Sequence, residues 1–158
     1  MWSPWRSDYI ARADEDDGCF FCTHLASDED DKNGVLWRGD RVFVVVHAYP
    51  YNSGHVMVAP KRHVGEMDEV EAAELHDLID ATQRSVAILR DALRPHGFNV
   101  GMNLGDVAGA GVPGHLHVHV VPRWGGDTNF MPVVGETKVL PEMLSQTYDK
   151  LRPGFDQL

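Results

Sequence analysis

An α+β domain built round an antiparallel sheet is what this sequence predicts, and three observations carry that reading. Short β-branched runs bounded by turn residues follow one another from Val35 onward. One long stretch with helical periodicity interrupts them, and the last run alternates histidine with apolar side chains. With 158 residues and 43% hydrophobic content the chain is long enough for one well-packed core, so residues 1–158 are read as a single domain.

The elements follow in order. Ahead of the first strand lie Cys19, Cys22 and two acidic runs, Asp14-Glu15-Asp16-Asp17 and Asp28-Glu29-Asp30-Asp31, which read as solvated loops. Val35-Leu36-Trp37-Arg38, a Gly39-Asp40 turn and the β-branched run from Val42 to His47 make a hairpin. Ala48 to Asn52, with Pro50 inside, is a loop, and Gly54 to Ala59 is a third strand stopped by Pro60. Between Asp68 and Leu93 the residues Leu75, Leu78, Ile79, Val86, Leu89 and Leu93 recur at helical spacings. They form one apolar face, and Pro95 and Gly97 end the helix. Phe98 to Leu104 is a fourth strand, Gly105 to Gly114 a Gly/Ala-rich loop, and Leu116 to Val121 a fifth strand before Pro122. Pro141 to Leu151 is a weaker second helix.

A net charge of -10 repels polynucleotides and anionic membranes, which excludes a binder of polymeric nucleic acid. A small nucleotide fits, because backbone amides, histidines and helix N-termini hold phosphate without a basic face. The start, Met1-Trp2-Ser3-Pro4-Trp5-Arg6, has no apolar core of signal-peptide length, and no run of about 18 apolar residues follows. The expected location is cytoplasmic. In that reducing compartment Cys19 and Cys22 point to metal or redox chemistry over a structural disulfide.

In His115-Leu116-His117-Val118-His119-Val120-Val121, strand geometry puts the three histidines on one face and the apolar residues on the other. Burying three imidazoles together is costly unless each has a partner. Two chemical uses fit the pattern, a metal site or a nucleophile helped by its neighbours. No carboxylate of the kind that joins histidine in catalytic zinc sites sits beside the triplet. A neutral imidazole, with an ordinary pKa of about 6.5, attacks well at neutral pH when its far nitrogen donates to a fixed acceptor. The adjoining Gly105-Asp106-Val107-Ala108-Gly109-Ala110-Gly111 loop can bring backbone N–H groups to a phosphate.

This histidine string, followed by Pro122-Arg123-Trp124, resembles the signature of the histidine triad (HIT) family. Three further segments agree. Gly54-His55-Val56-Met57-Val58-Ala59-Pro60-Lys61-Arg62-His63 is similar to the family's other motif strand, and Asn103 in Gly101-Met102-Asn103-Leu104-Gly105 resembles the asparagine preceding the phosphate loop. Cys19-Phe20-Phe21-Cys22 resembles the metal-binding start of many bacterial members, so the likeness covers roughly residues 17 to 135. It implies a HIT-like antiparallel five-stranded sheet with one long and one C-terminal helix, in a homodimer. It further implies that His117 attacks an α-phosphorus to give a nucleotidyl-histidine, that His119 bonds the α-phosphate or leaving-group oxygen, and that Asn103 helps position the phosphate. His55 either supports the nucleophile from the core or meets substrate. Cys19, Cys22, His63 and His115 would form a tetrahedral structural zinc site, with a redox pair or two buried cysteines as the alternatives.

Two positions depart from the family's pattern. Gly111 stands where many members carry a loop glutamine, so that contact comes from backbone or is absent. His47 stands where a ribose-contacting Asp or Asn is common, and an imidazole can bond a ribose hydroxyl. The surroundings, Met1 to Arg6 and Pro122 to Phe130, look most like a bacterial and archaeal branch that includes diadenosine tetraphosphate (Ap4A) phosphorylases, in which phosphate resolves the intermediate. Hydrolysis of dinucleotides, as in fragile-histidine-triad-like enzymes, or of nucleoside phosphoramidates is the close alternative. A catalytically idle nucleotide-binding protein and a metalloenzyme built on the histidine cluster are the rivals from other classes.

Overall fold

The computed structural model describes residues 18–135 and 142–158, so the N-terminal tryptophans, the first acidic run and Pro141 lie outside the described residues. The strands β1 (Val35–Arg38), β2 (Val42–Val46), β3 (Val56–Pro60), β4 (Gly97–Gly101) and β5 (Val118–Arg123) form one sheet. Its order is β1-β2-β3-β5-β4 and every neighbouring pair is antiparallel. The α-helices among the described residues are α1 (Phe20–Ala26), α2 (Asp30–Asn33), α3 (Ala72–Leu93), α4 (Met131–Val134) and α5 (Leu144–Phe155). The α+β sheet with one long and one C-terminal helix is therefore present.

Alternation along the strands separates two layers. Val42, Val44 and Val46 of β2, Val56 and Val58 of β3, and Val118 and Val120 of β5 share a core with Leu78, Ala81 and Leu89 of α3 and Leu151 and Phe155 of α5. Phe43, Val45, Met57 and Ala59 point the other way and close under Phe21 of α1. Burial on both faces is why β2 and β3 read as continuous apolar runs rather than alternating ones. Gly154 lets α5 seat against α3, since a Cβ there would stand 2.6 Å from Ile88 Cγ2.

Several boundaries differ from the sequence reading. Pro60 and Pro122 are the end of β3 and part of β5, not stops outside them. The β3–β5 ladder covers only Val56 to Val58 and Val118 to Val120, so each proline pairs on one side, opposite Val42 and Phe98 respectively. A proline is tolerated where its missing N–H has no strand to meet. Helix α3 starts at Ala72, after a 3-10 turn at Met67–Glu69, because the Glu74 carboxylate accepts the Glu71 N–H at 3.2 Å. Its buried face runs through Leu78, Ala81, Thr82, Ser85 and Leu89, leaving Ile79 exposed. The hydroxyls of Thr82 and Ser85 donate to the carbonyls of Leu78 and Ala81, which hides their polarity inside the helix. β4 stops at Gly101, opposite His119, because its partner strand leaves the ladder there.

Candidate active site

The site forms where β3 and β5 lie side by side, with Met57 opposite His119. His115 and His117 precede the first residue of β5 and His119 lies inside it, yet all three keep the strand-like alternation. Leu116, Val118 and Val120 enter the helix-covered core while the histidines line the other face. His55 ends the turn that leads into β3 and is fully buried.

Backbone groups fix the tautomers. His117 Nδ1–H donates to the His115 carbonyl at 2.8 Å, which leaves the Nε2 lone pair of a neutral ring as the reactive position. The Tyr51 N–H donates to His55 Nδ1 at 3.1 Å, so the His55 proton sits on Nε2 and is donated to His119 Nδ1 at 3.0 Å. That in turn places the His119 proton on Nε2. Two imidazoles with ring centroids 4.8 Å apart thus carry opposite tautomers, one with a lone pair at Nε2 and one with an N–H there. A ring with a free lone pair beside a ring with an N–H is a pair that can attack phosphorus and bind an oxygen that gains charge.

The same test separates two clusters that could hold a metal. Cys19 Sγ lies 3.2 Å and Cys22 Sγ 3.7 Å from His115 Nδ1, and Cys22 Sγ lies 3.4 Å from His63 Nδ1. His115 Nε2–H donates to the Pro60 carbonyl at 2.8 Å, so its Nδ1 lone pair faces the sulfurs, as a metal ligand's should. Burial lowers the His115 pKa, with His63 and His117 adding to the effect and the Pro60 bond opposing it, and this keeps the ring neutral. Burial pushes the Cys22 thiol up, aided by Cys19, so Cys22 resists ionising without a cation beside it. The residues fit a four-coordinate metal. His47, His55 and His119 also gather within 4.8 Å, but His47 Nδ1 accepts the Tyr49 N–H at 2.9 Å and His55 Nδ1 accepts that of Tyr51. Their Nε2 atoms carry protons and point as donors, so this trio is a hydrogen-bonding cluster and not a metal centre.

Other expected residues lie further off. Asn103 Nδ2 donates to the Gly109 carbonyl at 3.2 Å, so the side chain shapes the glycine-rich loop. Gly111 sits partly buried in that loop, and its neighbour Val112 packs on the cluster around Phe21. Nothing among the described residues ties Asn103 or Gly111 directly to the histidines. His47 is buried and packs against His55 with tilted rings, centroids 4.4 Å apart. Trp124 is partly buried.

Sequence reasoning missed two features. Phe21 is fully buried with its ring 4.9 Å from His115 and 5.1 Å from His117. Asp127 accepts from Asn52 Nδ2, from Arg123 and from the Trp124 N–H, binding the segment after β5 to the turn before His55. The Arg123–Asp127 spacing was the visible signal for the second; for Phe21 the signal was its place between the cysteines.

Comparison with known proteins agrees with this geometry. The HIT domain family matches residues 29–126. The AP-4-A phosphorylase of Mycobacterium tuberculosis is 42% identical over 154 residues, covering 93% of this chain and 79% of that protein. A hypothetical histidine triad nucleotide-binding protein from Sulfolobus tokodaii superposes with a TM-score of 0.71 at 24% identity, over 89% of this chain and 93% of that one. A Zn-bound histidine triad family protein from Mycobacterium smegmatis gives 0.64 at 20% identity, over 95% and 93%. With its fold, its histidine strand and these relatives in agreement, the chain belongs to the HIT domain family.

Proposed function

We infer that this protein is a nucleotidyl-transferring enzyme that cleaves a diadenosine polyphosphate, Ap4A in the first instance, through a covalent nucleotidyl-histidine. The observation that carries the reading is the pair of opposite tautomers pinned on His117 and His119. His117 Nε2 attacks the α-phosphorus, an N–P bond forms, and the bond to the bridging oxygen breaks with ATP as leaving group. His119 Nε2–H bonds that oxygen as charge collects on it. Inorganic phosphate then attacks the same phosphorus, the N–P bond breaks and ADP leaves, so Ap4A and phosphate become ADP and ATP. Support for phosphate as acceptor is the likeness to the mycobacterial phosphorylase. Water in the second step would make the enzyme a hydrolase.

Asn103 and the backbone of the loop through Gly111 serve the phosphates, with His47 and His55 completing the donor cluster behind His119. Two thiolates and two imidazoles form the set that zinc favours, and a closed set of four makes Cys19, Cys22, His63 and His115 a structural zinc site, for which a cytoplasmic, reducing environment keeps the thiols available. A homodimer is proposed from the resemblance, with β4 offering an open sheet edge that bears the exposed Val100.

The test is incubation of the protein and its His117→Ala variant with Ap4A, with and without phosphate, followed by identification of the nucleotides. ADP plus ATP only with phosphate is the expected result. AMP plus ATP without phosphate would make it a hydrolase, and the absence of any His117-dependent product from Ap4A or a nucleoside phosphoramidate would leave a binding protein.

A further inference from the structure

His115 joins two parts of the molecule that the reaction scheme keeps apart. Its ring faces the two cysteine sulfurs, while its backbone carbonyl holds the Nδ1–H of His117. A second link runs through Phe21, whose ring is wedged against His115, His117 and Phe43, the last with centroids 5.9 Å apart. Phe21 sits between the two cysteines, so its ring enters the core from the same turn of α1 that carries their sulfurs. The other end of α1 is held independently. Arg38 donates to the carbonyls of His24, Leu25 and Ser27 and to Asp30, tying the end of the helix to β1. At the start of α1, Cys19 makes no side-chain cap. That end is secured to the sheet by Phe21 packing and by the ligand atoms.

We propose that the Cys19, Cys22, His63 and His115 centre is a positioning device for His117, and not only a staple of the fold: when occupied, it holds the His115 carbonyl and the Phe21 ring where they fix the orientation and tautomer of the nucleophile. His115 and Phe21 are the positioning residues. Losing the metal frees the first turn of α1 and lets Phe21 withdraw, while Arg38 keeps the helix attached. His117 then loses the acceptor geometry that reserves its proton for Nδ1. Partners of this indirect kind affect activity by on the order of 10–100-fold, and because ring orientation governs attack more than binding, the loss falls on kcat.

The full-length protein is compared loaded with zinc, stripped by a chelator, and as Phe21→Ala and Phe21→Leu variants that keep all four ligands. Nitrogen-15 imidazole spectra, with the His117 signals assigned by their loss in His117→Asn, report its tautomer, and circular dichroism reports folding. Expected is a single Nδ1–H tautomer in the loaded protein, mixed tautomers in a stripped but folded protein, and recovery when zinc is returned. Phe21→Ala should bind one zinc per chain yet show the mixed state and a kcat lower by on the order of tenfold, with Leu restoring part of it. An unchanged His117 signal in the folded stripped protein, or in zinc-loaded Phe21→Ala, overturns the proposal. If stripping unfolds the chain, Phe21→Ala alone decides. The kcat arm rests on the proposed function; should the wild type turn over no nucleotide, that reading fails while the spectra still decide this one.

Discussion

At the scale of single residues, which nitrogen of a histidine carries the proton decides its chemistry, and here backbone groups make that choice. His55 and His47 each accept an N–H at Nδ1, whereas His115 and His117 each serve a carbonyl, through Nε2–H and Nδ1–H respectively. The consequence is a sharp expectation for metal. Wild-type protein should bind one zinc per chain, and Cys19→Ser combined with Cys22→Ser should bind none, although His47, His55 and His119 remain within ligand reach of one another. Metal analysis after dialysis checks this, and a zinc retained by the double variant would mean that the tautomers assigned to the trio are wrong. Alternation in the sequence put His115, His117 and His119 on one face, and the structure agrees. What no linear pattern marks is where two of these rings find their partners, since the Pro60 carbonyl that accepts from His115 and the His55 ring that donates to His119 come from other stretches of chain.

At the scale of elements, Arg62 links the exit of β3 to the start of α3, one residue before His63. Its guanidinium donates to both oxygens of the largely buried Glu74 carboxylate and to the Glu69 carbonyl. The Arg62 hydrogen bonds hold the Glu74 pKa below the usual glutamate value, helped by the Glu71 N–H and opposed by burial. A carboxyl depressed on folding stabilises the protein above its unfolded pKa of about 4.3, and that contribution is lost as pH falls through the lower folded value. The melting temperature of Glu74→Gln should therefore lie below that of wild type at neutral pH, the gap closing under acid conditions below the usual carboxylate range. A gap independent of pH would assign the loss to shape instead. The C-terminal helix makes a second case. Phe155 is fully buried in the core shared with α3, and Phe155→Ala should cost about 3–5 kcal/mol in urea unfolding, against little change if α5 were only laid on the surface. Helical period and β-branching revealed these elements, but not their ends. Those depend on the Glu71–Glu74 contact and on which side of each proline lacks a neighbouring strand.

At the scale of the whole molecule, a protein of net charge -10 is proposed to bind a polyanion. Arg38 at the end of β1, Arg62 after β3 and Arg123 at the end of β5 do little to reverse that balance, because each is matched, with Asp30, Glu74 and Asp127 respectively. Neutral imidazole N–H groups and loop amides can hold phosphate at close range, but they offer no long-range attraction, so an approaching nucleotide meets the repulsion of the acidic surface first. Salt should relieve it. Raising ionic strength from about 0.01 M to about 0.1 M shortens the screening length from about 30 Å to about 10 Å, less than the span of the domain but more than the reach of a hydrogen bond. The expected outcome is a kcat/KM for Ap4A that rises over that range, with the gain in KM and not in kcat. For an uncharged substrate analogue the same titration should be flat. A kcat/KM that instead falls steadily with salt would mean that the mouth of the site carries a positive field of its own, and that long-range charge, not the fixed tautomers beneath it, draws the nucleotide in.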